Sequence, residues 1–185
     1  VSKIFVTSDT HFWHRNIITY SNRPFSSVED MNDTIKSRWN KVVKPKDTVY
    51  FLGDLAMGSG ATTDSARFLL RQLNGKIKFV LGNHDEGKTL DIVEAARMER
   101  FKVEILRDVF RVKIAGVRYV MSHYPIHSWQ GKTKGAIHLH GHSHTPLRMF
   151  EGQRENRFDI GIDMYGKPVD ITNGIKELLR PKGWQ

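Results

Sequence analysis

Three short apolar runs, Ile4-Phe5-Val6, Val49-Tyr50-Phe51-Leu52 and Phe79-Val80-Leu81, each halt at a polar cluster and are separated by stretches of helical periodicity. That alternation confines the first hundred residues to a β-α-β-α-β-α order, which predicts parallel strands joined by helical crossovers. The run 48–52 is apolar on both faces, so its sheet must be covered on both sides. Between the strands, Ser27-x-x-Asp30 is a capping box with Asp in place of Glu, and Met31, Ile35, Trp39 and Val42 follow at helical spacing. Ala66, Leu69, Leu70 and Leu73 mark a second helix closed by Asn74-Gly75, and a third is expected over 89–100. Residues 10–26 are too polar and irregular for a helix and are expected to form a loop beside whatever site the strand ends build.

The grammar changes at Val103. Short strands are expected at 103–106, 110–114, 117–122 and 136–140, with Ala115-Gly116 as a hairpin turn, then a strand at 157–162 and a short helix at 173–179. Two packed sheets with helices outside them account for this order. A chain of 185 residues is one domain's worth, expected to span 1–185. No apolar run approaches the roughly eighteen residues that a membrane span needs, and no signal-peptide core follows Val1-Ser2-Lys3. The absence of cysteine fits a reducing, cytoplasmic setting. The net charge of +9 points to an anionic partner: a phosphate ester, a nucleotide or a nucleic acid.

The polar clusters that stop the strands carry the chemistry. Asp9-x-His11 ends the first, Gly53-Asp54 the second, Gly82-Asn83-His84-Asp85 the third and His123 a later one, while Ile137 to His144 holds four of the nine histidines on alternate positions. An isolated H-x-H is more often a polar strand face than a site. Five strands ending in Asp, Asn or His are another matter, because an open α/β sheet places its ligand site beyond the carboxyl ends of its strands. Imidazole nitrogens with carboxylate and amide oxygens suit divalent Mn, Fe, Zn, Co or Ni. Two such ions bring +4, against carboxylates from Asp9 and Asp54 only, so the cluster keeps about +2, or +1 with a hydroxide, and is built to hold an anion. His84, expected to be held by Asp85, is placed to donate a proton to a leaving oxygen. His14, His127, His138 and His140 are expected to support the fold or the ligands.

Asp9-x-His11, Gly53-Asp54, Gly82-Asn83-His84-Asp85, Ser122-His123 and Gly141-His142-Ser143-His144, in this order, resemble the five signature motifs of the calcineurin-like metallophosphoesterases. Phe158-Asp159-Ile160-Gly161-Ile162-Asp163 with Pro168-Val169 is similar to the end of smaller members. The resemblance implies a four-layer α/β/β/α sandwich of two mixed β-sheets flanked by helices. It also implies one divalent ion on Asp9, His11, Asp54 and His144, and a second on Asp54, Asn83, His123 and His142, the last through a carbonyl or a ring nitrogen. Asp54 would bridge, a hydroxide shared by the ions would attack phosphorus in line, and His84, with Asp85, would assist the departing alcohol.

Phe12-Trp13-His14-Arg15 stands where many small members have Gly, and the extra arginines of the protein-phosphatase branch have no match. Protein dephosphorylation is therefore not expected. With no cation inside the motifs, a cluster of about +1 matches the one charge and two arms of a diester, so a phosphodiesterase acting on a small phosphate ester is expected ahead of a phosphomonoesterase. The alternatives are a metal-dependent nuclease, suggested by the charge and by Trp13, Trp129 and Trp184 as stacking groups, and a non-catalytic scaffold. Arg15, Arg23, Lys132 and Lys134 are the cations whose loops lie nearest the ligands.

Overall fold

The computed structural model describes residues 1–144 and 156–184. β1 (Ile4–Thr7), β2 (Thr48–Phe51), β3 (Lys76–Phe79) and β4 (Val103–Ile105) pair in parallel in the order β4-β3-β2-β1, and β9 (Val169–Asp170) adds antiparallel to β1. The second sheet runs β5 (Val109–Ile114), β6 (Val117–Ser122), β7 (Ile137–His140) and β8 (Arg157–Asp159). Its first pair is antiparallel and the rest parallel.

The alternation of side chains decides which layer each residue joins. Val49 and Phe51 pack with Met31, Ile35 and Trp39 of α2 (Val28–Val42), Leu69 and Leu70 of α3 (Thr63–Gln72) and Ile92 of α4 (Ile92–Met98). Tyr50 and Leu52 face the other way, into a core shared with Tyr119, Met121, Ile137 and Leu139 of the second sheet. Strand β2 is therefore covered twice, as its composition requires, and the result is an α/β sandwich of two mixed sheets flanked by helices. No helix among the described residues is long and apolar enough to cross a membrane.

Ser27 caps α2 by accepting from the Asp30 N–H at 3.1 Å, a bond worth about 1 kcal/mol. The Asp30 carboxylate completes the cap on Ser26 rather than Ser27. Three expectations need correction, and one strand, β9, was not expected. Within 10–26, Ile17–Tyr20 closes one helical turn, α1, because Ile17 is buried and anchors it. The strand expected to run to residue 162 stops at Asp159, and Ile162–Tyr165 forms α5. β9 escaped notice because two residues carry no periodicity. The helix expected at 173–179 is a series of turns: Gly174 sits at φ 104° and Pro181 follows, leaving too few residues to repay nucleation. Over the outer face of the second sheet, cover among the described residues comes from segment 124–135. There Trp129 packs on Val120 and Ala136 and donates to the Ala136 carbonyl at 2.9 Å.

Candidate metal centre

Strands β1, β2, β3, β6 and β7 all point their carboxyl ends to one edge, and backbone bonds stitch the loops that follow. Asp9 N–H donates to Gly53 O at 2.9 Å, His11 N–H to Asp54 O at 3.1 Å and Gly141 N–H to His123 O at 2.9 Å. The approach is so close that a methyl group at Gly82 would strike the Asp54 carboxylate, and one at Gly141 the Asp9 carboxylate. Asp9, His11, Asp54, His142 and His144 all adopt positive φ, between 50° and 68°, a conformation that non-glycine residues hold only when their surroundings dictate it.

Two donor groups result. The ligand atoms of Asp9, His11 and His144 lie within 4.8 Å of one another, as do those of Asp54, His123 and His142. Asp54 Oδ2 faces both groups, 3.5 Å from His11 Nε2 and 3.6 Å from His123 Nε2. Asn83 Oδ1 joins the second, 2.9 Å from His123 Nε2 and 3.0 Å from His142 Nδ1, so His142 presents a ring nitrogen there. His11 Nε2 and His144 Nε2 stand 3.2 Å apart. Imidazole nitrogens converging on carboxylate and amide oxygens, with no protein cation among them, fit divalent transition ions.

Burial drives the electrostatics. It lifts the Asp9 carboxyl well above its usual range, against the opposing pull of His144 and the Ser8 hydroxyl. It also holds His11, His123 and His142 below the ordinary imidazole value, and His11 is pressed further by His144 and Arg23. Those rings are neutral and ready to bind metal. His144 is raised: burial opposes this, but the bond from Nδ1 to Asp163 Oδ2 at 2.8 Å and the charges of Asp9 and Asp163 outweigh it.

His84 stands beside the first group, its ring edge-on to His11 at 5.5 Å between centroids, and its N–H donates to Asp54 Oδ1 at 2.9 Å. Asp85, expected to hold the His84 ring, is turned inward instead. It is buried and accepts from the N–H groups of Gly82 (2.7 Å), Asp54 (2.8 Å) and Leu55 (2.9 Å), clamping two strand-end loops together. Burial raises its pKa to about 7 despite those three bonds. Three backbone donors with low-dielectric walls hold a carboxylate more firmly than one imidazole could.

Arg23 and Asp163 form a support that the sequence did not disclose. The Arg23 guanidinium is buried, pairs with Asp163 through Nε at 2.7 Å and Nη2 at 3.0 Å, and donates to the carbonyls of Thr10 (2.9 Å) and Asp9 (2.8 Å). Asp163 in turn fixes His144. Arg23 is therefore no cation of the rim. Lys132 is also engaged, donating to His127 O at 2.9 Å with its ammonium 4.9 Å above Trp129. Lys134 lines a cleft on the outer face of the second sheet, and Arg15 remains exposed.

His138 is structural as expected: Nε2 accepts from the Ile126 N–H at 3.1 Å and Nδ1 bonds Val120 O at 3.0 Å. His140 is buried with Nδ1 on Gly141 O at 2.9 Å, whereas the His14 ring lies tilted against His11 at 5.4 Å between centroids, closer to the centre than expected. Trp129 and Trp184 serve packing, the latter against Phe25.

Residues 3–158 match the calcineurin-like phosphoesterase superfamily domain. The chain is 43% identical over 184 residues to an uncharacterized protein of Methanocaldococcus jannaschii, covering 97% of this chain and 93% of that one. It is 28% identical over 203 residues to the gene 66 protein of Mycobacterium phage L5, covering 96% and 97%. Among solved structures, a protein of unknown function from Aquifex aeolicus superposes with a TM-score of 0.67 at 24% identity, over 92% of this chain and 96% of its own.

Proposed function

The chain belongs to the calcineurin-like phosphoesterase superfamily, and from that premise we propose that it hydrolyses phosphodiesters with two divalent transition-metal ions at its strand-end centre. The observation that carries this reading is the position of Asp54, whose Oδ2 stands 3.5 Å from a ligand nitrogen of one donor group and 3.6 Å from one of the other. A single carboxylate facing two groups is what a pair of ions needs. Asp9, His11 and His144 would hold one ion, and Asn83, His123 and His142 the other. Bound there, the ions would supply Lewis acidity toward the phosphoryl oxygens and lower the pKa of water.

The protein's own residues supply the rest. His84, partly exposed beside His11, offers an imidazole to protonate the departing alkoxide, and its N–H holds Asp54 in place. Asp85 positions the loops that carry both. Preference for a diester is supported by the cations: Arg23 is committed to Asp163, Lys132 to Trp129 and His127, and Lys134 to another face, which leaves Arg15 alone of the four exposed and uncommitted. The second negative charge of a monoester thus finds little among them, whereas a diester brings one charge and two arms to an open rim. The test is kcat/KM for an activated diester and the matching monoester at identical metal loading, expected to favour the diester. Preference for the monoester across several metals refutes this reading.

A further inference from the structure

The positive charge that dominates this chain, +9 overall, is not gathered at the metal centre. Four cations, Arg111, Lys113, Arg118 and Lys134, share the outer face of the second sheet. Register sets Lys113 on β5 directly opposite Arg118 on β6, with Arg111 two residues away on the same face, opposite Val120. All three cations are exposed, while their neighbours Tyr119 and Met121 turn into the core between the sheets. Like charges directly across a strand pair oppose the pairing that brings them together. A sheet tolerates that arrangement cheaply when an anion sits between the charges.

The loop around Gln130 to Lys134 stands over this face and closes a cleft of about 490 Å³. Its polar walls are Arg111, Lys113, Arg118, Lys134, Gln130 and Thr133, and no acidic residue among those described lines it. Arg111 is steered by a hydrogen bond to Gln130. A larger cleft of about 670 Å³ near the start of β1 is also basic, but Asp170 and Glu177 line it as well. There Lys3 pairs with Asp170 at 2.9 Å and Arg38 donates to the Trp184 carbonyl at 2.9 Å, so part of its charge is answered from within. The cleft over β5 and β6 has no such answer among the described residues.

We propose that this outer cleft is a binding site for closely spaced phosphate groups, carried by a polyphosphate or by the backbone of a nucleic-acid strand. Its size falls within the range of small-ligand clefts, roughly 300–1,000 Å³. Guanidinium forks beside ammonium groups, with Gln130 and Thr133 as neutral donors, suit several phosphate oxygens at once and exceed what a single phosphate can satisfy. Val120, the lining residue nearest His123 along β6, lies three residues before it, or roughly 10 Å at the usual strand rise, so a phosphate group seated here does not touch the metal centre. The site is thus separate from the residues of the proposed hydrolysis.

The experiment measures binding to the full chain with its metals, using inorganic triphosphate in calorimetry and a labelled oligothymidylate in fluorescence anisotropy. The double variant Lys113→Gln with Arg118→Gln is expected to bind at least tenfold more weakly. Its turnover of a small activated ester should be unchanged, and its low-salt melting temperature equal to or above that of the parent, because a repulsion has been removed. For a strand occupying three or four of the cations, log K should fall against log salt with a slope of about −2 to −3. Displacement of the oligonucleotide by triphosphate identifies the polyphosphate seat, and resistance to displacement identifies the strand backbone. The proposal is overturned if the parent binds neither probe, or if both bind with undiminished affinity after the double substitution.

Discussion

Replacing Asp163 by Ala removes one side chain that serves two others, and the cost can be worked from its contacts. Its oxygens receive Arg23 Nε at 2.7 Å, Arg23 Nη2 at 3.0 Å and His144 Nδ1 at 2.8 Å, and the two charged side chains are 0% and 7% exposed. Stripping a buried guanidinium of its carboxylate costs about 3–5 kcal/mol. Arg23 retains the carbonyls of Asp9 and Thr10, so about 2–4 kcal/mol is expected here. His144, freed to rotate, should in addition lose metal affinity by about 10- to 100-fold, the usual consequence of removing the partner that orients a ligand histidine. Denaturant unfolding in chelator isolates the first effect, and metal titration by calorimetry the second. Arg23→Met in the same chain should recover part of the stability, because the unpaired charge goes with it. Burial pulls the Asp163 pKa upward, but His144 and Arg23 outweigh it and the pKa lies below the usual carboxylate value. Its stabilisation is therefore present above about pH 4 and disappears as the pH falls further, so the gap between parent and variant should close in acid. Strictly additive effects of the two substitutions, or an Asp163→Ala protein with parental stability and metal affinity, would show that this support does not exist.

Asp54→Ala should empty both donor groups together, whereas His142→Ala should chiefly affect one; metal analysis after gel filtration distinguishes them, and two ions retained tightly by Asp54→Ala would refute the bridge. His84→Ala should keep its metals while kcat falls by on the order of 10² to 10⁴ for alcohols of high pKa, and by much less for good leaving groups. An equal loss for both would assign His84 to positioning. Burial holds His138 down at a pKa of about 4, so its neutral form contributes stability above the ordinary value near 6.5 that is lost as pH falls toward 4. The contribution is on the order of 3 kcal/mol, and His138→Gln should be less stable than the parent at pH 7 by an amount that shrinks toward pH 4.

What the sequence disclosed and what it withheld follow one physical division. Strands such as 48–52 and helices such as 28–42 announce themselves by period, and the residues that end strands announce themselves by chemistry, so both donor groups could be named from Asp9 to His144. The period cannot say where a carboxylate turns. Asp85 follows His84 in sequence, which suggests its ring as the partner, yet the tight approach of Gly82 to Asp54 leaves three N–H groups pointing at one buried oxygen pair. Arg23 and Asp163 are 140 residues apart, and no spacing rule joins them. The signal available was Asp163 closing a run of alternating residues that looked too regular for a loop, but its partner stood in a stretch with no periodicity at all.

The five candidate donor residues at positive φ give that hidden support its purpose. Left-handed backbone costs an L-residue roughly 1–2 kcal/mol, less for Asp, Asn and His than for others, so five such residues, all Asp or His, amount to a few kcal/mol, at most about 5. A sum of that size is a large fraction of the stability of an ordinary domain, about 5–15 kcal/mol. It persists because the strained segments are tied from behind. Asp85 takes three backbone N–H groups in the loops after β2 and β3, and Arg23 takes the carbonyls of Asp9 and Thr10 in the loop after β1. Neither carboxylate nor guanidinium needs to reach the reacting atoms to matter. They oppose the strain by fixing the peptide planes, and a fixed peptide plane at Asp9 or Asp54 aims its side chain in advance. If the strand edge were instead left to relax, the same seven donors would point along ordinary extended backbone, and the 3.5 Å and 3.6 Å separations at Asp54 would have nothing to maintain them.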